Sequence, residues 1–330
     1  MTGSEVGLTD EELIDVPGFW SRWVLLPSGV RAHYMTSGGS GPAVVLLHGG
    51  LVGSSGAAGW RSLAPYLGER GFRVYCPDSV GFGHTLDPDG RYPQGPAGHV
   101  DFLHDFVRAL CLDEFALGGN SMGCLNAVNY ALAHPERVTR LALIAGGVGD
   151  LVPQEEIARR DDRPTSEKPD IRSYDGTPEG MRRLMAALAS DPDDPALADD
   201  AVVAMRVAAA ARTRDATAAR QAHVDDPATR VRLSTRGRLD ELPIPTIYVY
   251  GADDVLSPVH ARGYLQEDAL PQWQFFYPEG CGHQAQNDRP DIVNPLFHEF
   301  LRDGVVSRET AERAGISRRR PEHPHLVASS

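Results

Sequence analysis

Gly119-Asn120-Ser121-Met122-Gly123 sets a hydroxyl between two glycines, after an apolar run at 115–118 and before a helical stretch at 124–133. A serine on so sharp a strand-to-helix turn has a strained backbone. Glycines two residues to either side let neighbouring segments approach without clashing side chains. The turn lifts the oxygen clear of the chain and aims a helix N-terminus at it, as a nucleophile requires. It also leaves the Met122 N–H free to donate to a developing oxyanion. A second donor is expected from the loop after the first strand, where His48-Gly49-Gly50 stands. Gly50 is the candidate and Leu51 the alternative, while His48 reads as a packed structural side chain.

A serine nucleophile needs a base, and the base needs an orienting carboxylate. Of twelve histidines, His283 lies in Glu279-Gly280-Cys281-Gly282-His283, just after the last apolar run. Such a loop can swing an imidazole over a sheet edge. Asp254, in the loop after the preceding run, is the candidate acid, with Asp253 its immediate rival and Asp150 a remoter one. Most other histidines fall on helices or near prolines, but His84 and His260 also lie in loops near strand ends.

These residues need a scaffold. Apolar runs at 43–47, 73–76, 115–118, 141–145, 246–250 and 273–277 alternate with longer amphipathic stretches, the pattern of strands and helices around a buried parallel sheet. Polar and small residues gather at the carboxyl ends of those runs, where open α/β sheets place ligands. Between 148 and 240 the strand signal stops, and helices are expected at 177–189 and 197–214. The expected organisation is one discontinuous α/β core (1–147 and 241–305), a helical cap inserted at 148–240 and a loosely ordered tail at 306–330.

Composition narrows the partners. In 330 residues, 32 Lys+Arg face 45 Asp+Glu, a net charge of -13, and the only dense basic run is Arg318-Arg319-Arg320. Nucleic acid is disfavoured as a ligand. Four scattered cysteines without a Cys-x-x-Cys pair suit a reducing cytosol and argue against a structural zinc. No apolar run approaches the roughly 18–20 residues of a membrane span, and the acidic start lacks a signal-peptide pattern. A cytoplasmic protein is expected.

The chain order Ser121, Asp254, His283 is that of α/β-hydrolases. With His48-Gly49-Gly50, the Ser121 turn, His134-Pro135-Glu136-Arg137-Val138, Gly251-Ala252-Asp253-Asp254 with Pro258, and Cys281-Gly282-His283, the sequence resembles that superfamily over about residues 30 to 303. Within it the chain resembles the meta-cleavage product hydrolases, which split a carbon–carbon bond in vinylogous diketo acids. The resemblance implies a mostly parallel sheet flanked by helices, with Ser121 as nucleophile, His283 as base and Asp254 as orienting acid. Gly50 and Met122 would form the oxyanion hole, and Asn120 would hydrogen-bond the keto acid end of the substrate. Arg206, on a cap helix, would pair with its carboxylate. The reaction would pass through an acyl-enzyme on a small-molecule carbonyl substrate, with no metal or organic cofactor, and a homodimer is compatible with it. Gln284 stands where that family usually has Trp, and the loop 51–60 lacks its usual Gly-Pro-Gly. Both border the family's substrate pocket, so Gln284 joins the substrate-binding candidates. An esterase or lactonase is the alternative activity, and a non-catalytic ligand-binding role on the same fold a remote one.

Overall fold

The computed structural model describes residues 8–171, 173–191, 199–223, 226–323 and 325–328. Eight strands form one sheet: β1 (Trp20–Leu25), β2 (Arg31–Ser37), β3 (Ala43–Leu47), β4 (Arg73–Pro77), β5 (Phe115–Asn120), β6 (Val138–Ile144), β7 (Thr246–Val249) and β8 (Gln274–Phe276). Their spatial order is β1-β2-β4-β3-β5-β6-β7-β8. From β4 to β8 all neighbours run parallel, while β1 and β2 are antiparallel additions at one edge. The central strands are continuous apolar runs, such as the fully buried Ala-Val-Val-Leu-Leu of β3, because helices cover both sheet faces.

Four helices precede the gap in the sheet pattern: α1 (Gly56–Trp60), α2 (Leu63–Gly68), α3 (Pro96–Ala109) and α4 (Met122–Ala133). Between β6 and β7 come α5 (Gln154–Arg160), α6 (Pro178–Ala186), α7 (Asp200–Arg212), α8 (Arg214–Ala222) and α9 (Pro227–Arg232). No strand interrupts them among the described residues. Thr177 starts α6 by accepting from the Gly180 N–H at 3.0 Å, with Pro178 in the first turn. The single helix expected at 197–214 is divided. At Thr213 the hydroxyl and the N–H both bond to the Ala209 carbonyl, α7 ends, and α8 leaves from Arg214. Positions 197 and 198 lie outside the described residues.

After β7 follow α10 (Tyr264–Ala269), α11 (Ala285–Asp288), α12 (Pro290–Asp303) and α13 (Arg308–Arg313). The expectation of a loose tail at 306–330 is overturned for the described residues. Gly315 accepts from the Tyr277 N–H at 2.7 Å and Ser317 donates to the Phe275 carbonyl at 2.9 Å, so the chain covers the open edge of β8. Leu326 and Val327 are buried, and Val306 bridges to Val327. Arg319 and Arg320 reach the buried Glu267 carboxylate at 2.8 and 3.7 Å. An exposed strand edge and a buried carboxylate both need partners, and this segment supplies them. Among the described residues no helix is long and apolar enough to cross a membrane.

Candidate active site

Ser121 joins β5 to α4 with φ 55° and ψ −117°, a conformation that a non-glycine residue holds only where its surroundings impose it. Its N–H donates to the Ile144 carbonyl at 2.9 Å, which anchors the turn to β6. The flanking glycines are required by contact: a Cβ on Gly119 would lie 2.4 Å from the Gly123 carbonyl carbon, and one on Gly123 would lie 2.2 Å from the Leu47 oxygen. Met122 is the first residue of α4, so its N–H has no acceptor within the helix. Gly50 lies directly against it, since a Cβ there would come 2.9 Å from the Met122 sulfur. The two proposed oxyanion donors are therefore neighbours.

The loops after β7 and β8 meet beside this turn. Gly251 is pressed onto the second loop, where a Cβ would fall 2.2 Å from the Gly282 oxygen. Asp254 is buried; its Oδ1 accepts from the Leu256 and Ser257 N–H groups at 2.9 and 2.8 Å. Its Oδ2 faces His283 Nδ1 at 2.8 Å. Three fixed hydrogen bonds hold that carboxylate, and the carboxylate in turn holds the imidazole. The outer nitrogen, His283 Nε2, is buried without a hydrogen-bond partner among the described residues. The insert closes over this loop: the Leu188 carbonyl accepts from the His283 N–H at 2.7 Å, and the Ser190 hydroxyl donates to the Gly280 carbonyl at 2.9 Å. Nothing in the sequence signals those two contacts, because they follow the end of α6 rather than a motif.

The rival acids are used elsewhere. Asp253 accepts from the Gly280 N–H at 2.8 Å and ties the two loops together. Asp150 accepts from the Thr235 and Arg236 N–H groups at 2.8 and 3.1 Å and from the Ser234 hydroxyl at 2.8 Å, while the Thr235 hydroxyl reaches the Val148 carbonyl at 2.6 Å. It closes the neck of the insert. His48 donates from Nδ1 to the Gly49 carbonyl at 2.7 Å and accepts at Nε2 from the Ser79 N–H at 3.0 Å. Burial lowers its basicity, as suits a structural histidine.

Two expected substrate contacts are placed differently. The Asn120 amide nitrogen donates to the His283 carbonyl at 2.9 Å and to the Ile144 carbonyl at 3.2 Å. Both bonds go to backbone, and the first ties Asn120 to the histidine loop. Gln284 precedes α11, and its side-chain oxygen accepts from the Asn287 amide at 3.2 Å, which turns it toward its own helix.

Arg206 is 3% exposed on α7, and its backbone carbonyl sits over Gly53, where a Cβ would approach it to 2.5 Å. Among the described residues its guanidinium makes no ion pair, and its Nε is buried without a partner. Burial, helped by the charge of Arg61, pushes its pKa down to about 10. A guanidinium so desolvated favours an anionic partner. On the same helix a cavity of about 380 Å³ is lined by Val52, Tyr174, Val207, Ala210 and Arg214; Arg206, Ser121, Asp254 and His283 are not among its lining residues.

This combination of sheet, strained serine turn and His–Asp pair defines a hydrolase class, and comparison with known proteins agrees. A family model described as alpha/beta hydrolase fold matches residues 42–290, and the chain belongs to that family. The 2-hydroxy-6-oxo-6-(2'-aminophenyl)hexa-2,4-dienoic acid hydrolase of Metapseudomonas resinovorans is 33% identical over 292 residues, covering 86% of this chain and 92% of the relative. The 2-hydroxy-6-oxo-6-phenylhexa-2,4-dienoate hydrolase of Burkholderia cepacia is 29% identical over 84% of this chain and 93% of its own length. Among solved structures, the meta-cleavage product hydrolase of Pseudomonas fluorescens superposes with a TM-score of 0.69 at 26% identity, covering 86% of this chain and 98% of that one. The chain is a hydrolase whose relatives cleave meta-cleavage products.

Proposed function

We propose that this enzyme hydrolyses a carbon–carbon bond in a keto acid of the meta-cleavage product type, through a Ser121–His283–Asp254 triad beneath a cap formed by residues 148–240. Two things support the substrate class: the relatives' own substrates, and above all the buried guanidinium of Arg206, whose Nε has no partner among the described residues. The substrate carboxylate pairs with Arg206. The dienol first takes a proton on carbon to become a ketone, which gives the departing carbon a place for its electrons. His283 then removes the Ser121 proton as the oxygen attacks the carbonyl, and the N–H groups of Gly50 and Met122 hold the oxyanion. Asp254 keeps Nδ1 protonated and the ring aligned, so that Nε2 is the basic nitrogen. The carbon–carbon bond breaks, its electron pair passes into the enolate of the departing keto acid, the enolate takes the proton from His283, and water activated by the freed imidazole releases the acid from Ser121.

A small carbonyl compound, not a polyanion, is the partner on this reading. The net charge is -13, and two arginines of the one dense basic run, Arg319 and Arg320, are engaged with Glu267. A cytoplasmic location and a homodimer go with it. The deciding experiment offers the purified enzyme a coloured ring-fission dienoate and a p-nitrophenyl ester. Loss of dienoate absorbance with formation of two acids supports the proposal. Rapid ester turnover with an untouched dienoate would instead make the enzyme an esterase.

A further inference from the structure

A second buried cluster lies near His48, whose Nε2 accepts from the N–H of Ser79, the residue after Asp78. Asp78, just after β4, and His33, within β2, are both fully buried, with His33 Nδ1 2.7 Å from Asp78 Oδ2. His84, in the following loop, has a side chain only 10% exposed, and its Nδ1 stands 3.8 Å from the same oxygen. Among the described residues this is the group whose ligand atoms converge, all within 4.8 Å of one another.

The hydrogen-bond directions make the cluster unusual. His84 Nε2 lies 2.9 Å from the Glu11 carbonyl, an acceptor only, so Nε2 carries the hydrogen. In neutral His84, Nδ1 is then a bare lone pair, and it is buried without a hydrogen-bond partner among the described residues. It faces a carboxylate oxygen at a distance too long for a hydrogen bond. Two lone pairs pointed at each other in a dry interior call for a cation between them. His33 has its outer nitrogen fixed in the same way, while its Nδ1, 2.7 Å from Oδ2, shares a hydrogen with the carboxylate. The Ser21 hydroxyl donates to the Glu11 carboxylate, so toward His33 Nε2, at 3.1 Å, it acts as an acceptor. Both imidazoles thus have the outer N–H fixed by an oxygen and the inner nitrogen aimed at Asp78, as in metal sites where a second layer of hydrogen bonds orients the ligands. The carboxylate is steadied independently: Oδ1 accepts from the Gly56 N–H at 2.7 Å and Oδ2 from the His84 N–H at 2.8 Å. Gly83, at φ 51°, lets the chain cross directly over it, since a Cβ there would lie 2.0 Å from Oδ2.

We propose that His33 Nδ1, His84 Nδ1 and Asp78 Oδ2 form a binding site for a divalent transition-metal ion of the zinc or cobalt kind. Two imidazoles and one carboxylate suit such ions, with bonds of about 2.0–2.2 Å. The ion takes the place of the hydrogen between His33 and Asp78, and the 2.7 Å separation there opens by a few tenths of an ångström. The expectation of no metal came from the cysteines. These ligands come instead from β2, the end of β4 and the next loop, so no spacing motif announces them. Because Glu11 holds both outer nitrogens, directly or through Ser21, the ion would fasten the segment ahead of β1 to the sheet. The site is separate from the serine chemistry.

The test uses the full chain stripped with a chelator and titrated with Co2+, followed by visible absorption and tryptophan fluorescence. Trp23 is the reporter, with ring centroids 5.1 Å from His33 and 6.0 Å from His84. Saturable binding of one Co2+ per chain, displaced by Zn2+ and accompanied by fluorescence quenching and a higher Tm, is expected. His84→Ala should weaken binding by about a hundredfold or more while hydrolase turnover is kept. Should His84→Ala fail to fold, His84→Phe keeps a ring against Trp23 and offers no ligand. Absence of saturable binding at micromolar metal, or equal binding by the His84 variants, as from adventitious binding at the His323–His325 pair, overturns the proposal.

Discussion

The molecule contains two buried His–Asp pairs of nearly identical geometry, His283–Asp254 at 2.8 Å and His33–Asp78 at 2.7 Å. In both, Nδ1 faces a carboxylate whose other contacts are backbone N–H groups. They differ at the outer nitrogen. Among the described residues His283 Nε2 is left without a partner beside a strained serine, whereas His33 Nε2 is held by Ser21. A His–Asp pair is therefore not catalytic in itself. What it does depends on whether the far side of the ring is free to exchange a proton with a reacting group.

Substitutions can break that comparison, and the largest effect belongs to the proposed nucleophile. Ser121→Ala should lower kcat about a millionfold with an unchanged melting curve. Asp254→Asn should cost about ten-thousandfold in kcat through the wrong tautomer, again in a folded protein. The matching change in the other pair, Asp78→Asn, should act on stability: about 3–5 kcal/mol in chemical denaturation, with turnover per folded molecule nearly intact.

Acid titration sharpens the same contrast. Burial works to raise the Asp78 pKa, but the charge and hydrogen bond of His33, with help from His84, hold it well below the usual carboxylate range. A carboxyl depressed in the folded state contributes stability above its unfolded pKa of about 3.9 and loses it as pH falls toward the folded value. Wild-type stability measured at decreasing pH should fall below about pH 4, and Asp78→Asn should remove that part of the slope.

Smaller effects come from the two kinds of arginine. Arg206→Met should reduce kcat/KM for the dienoate by about 10–100-fold, the worth of one charged hydrogen bond, and leave p-nitrophenyl ester turnover nearly unchanged. It should also raise Tm, because an unpaired buried charge is removed. Glu267→Gln should lower stability by about 1–3 kcal/mol in a thermal melt, without touching kcat.

The residues of the Ser121 turn and the His283 loop were legible because glycines punctuate them, and those glycines exist to permit contacts of the kind seen at Gly119, Gly123 and Gly251. The six central strands were legible as unbroken apolar runs. β1 was not, since most of its positions are exposed and no alternation survives, and β2 hid a buried histidine among its apolar residues. The direction in which Asn120 and Gln284 point could not be read either. An amide can serve a substrate or a backbone carbonyl equally well, and only the tertiary fold presents the carbonyl. The tail misled for the opposite reason: arginines that look solvated in sequence become ordered once Glu267 is buried beneath them.

The clasp of Asp150 on Thr235 and Arg236 also says something about how such an enzyme diversifies. Some eighty intervening positions leave and re-enter the sheet domain at nearly the same point, so the core experiences them as a hairpin, whatever their content. A different helical excursion could be grafted between Val148 and Thr235, or a short turn spliced in, without altering the register of β6 and β7. Specificity can thus evolve as an exchangeable part, while the loops that hold Ser121, Asp254 and His283 stay as they are.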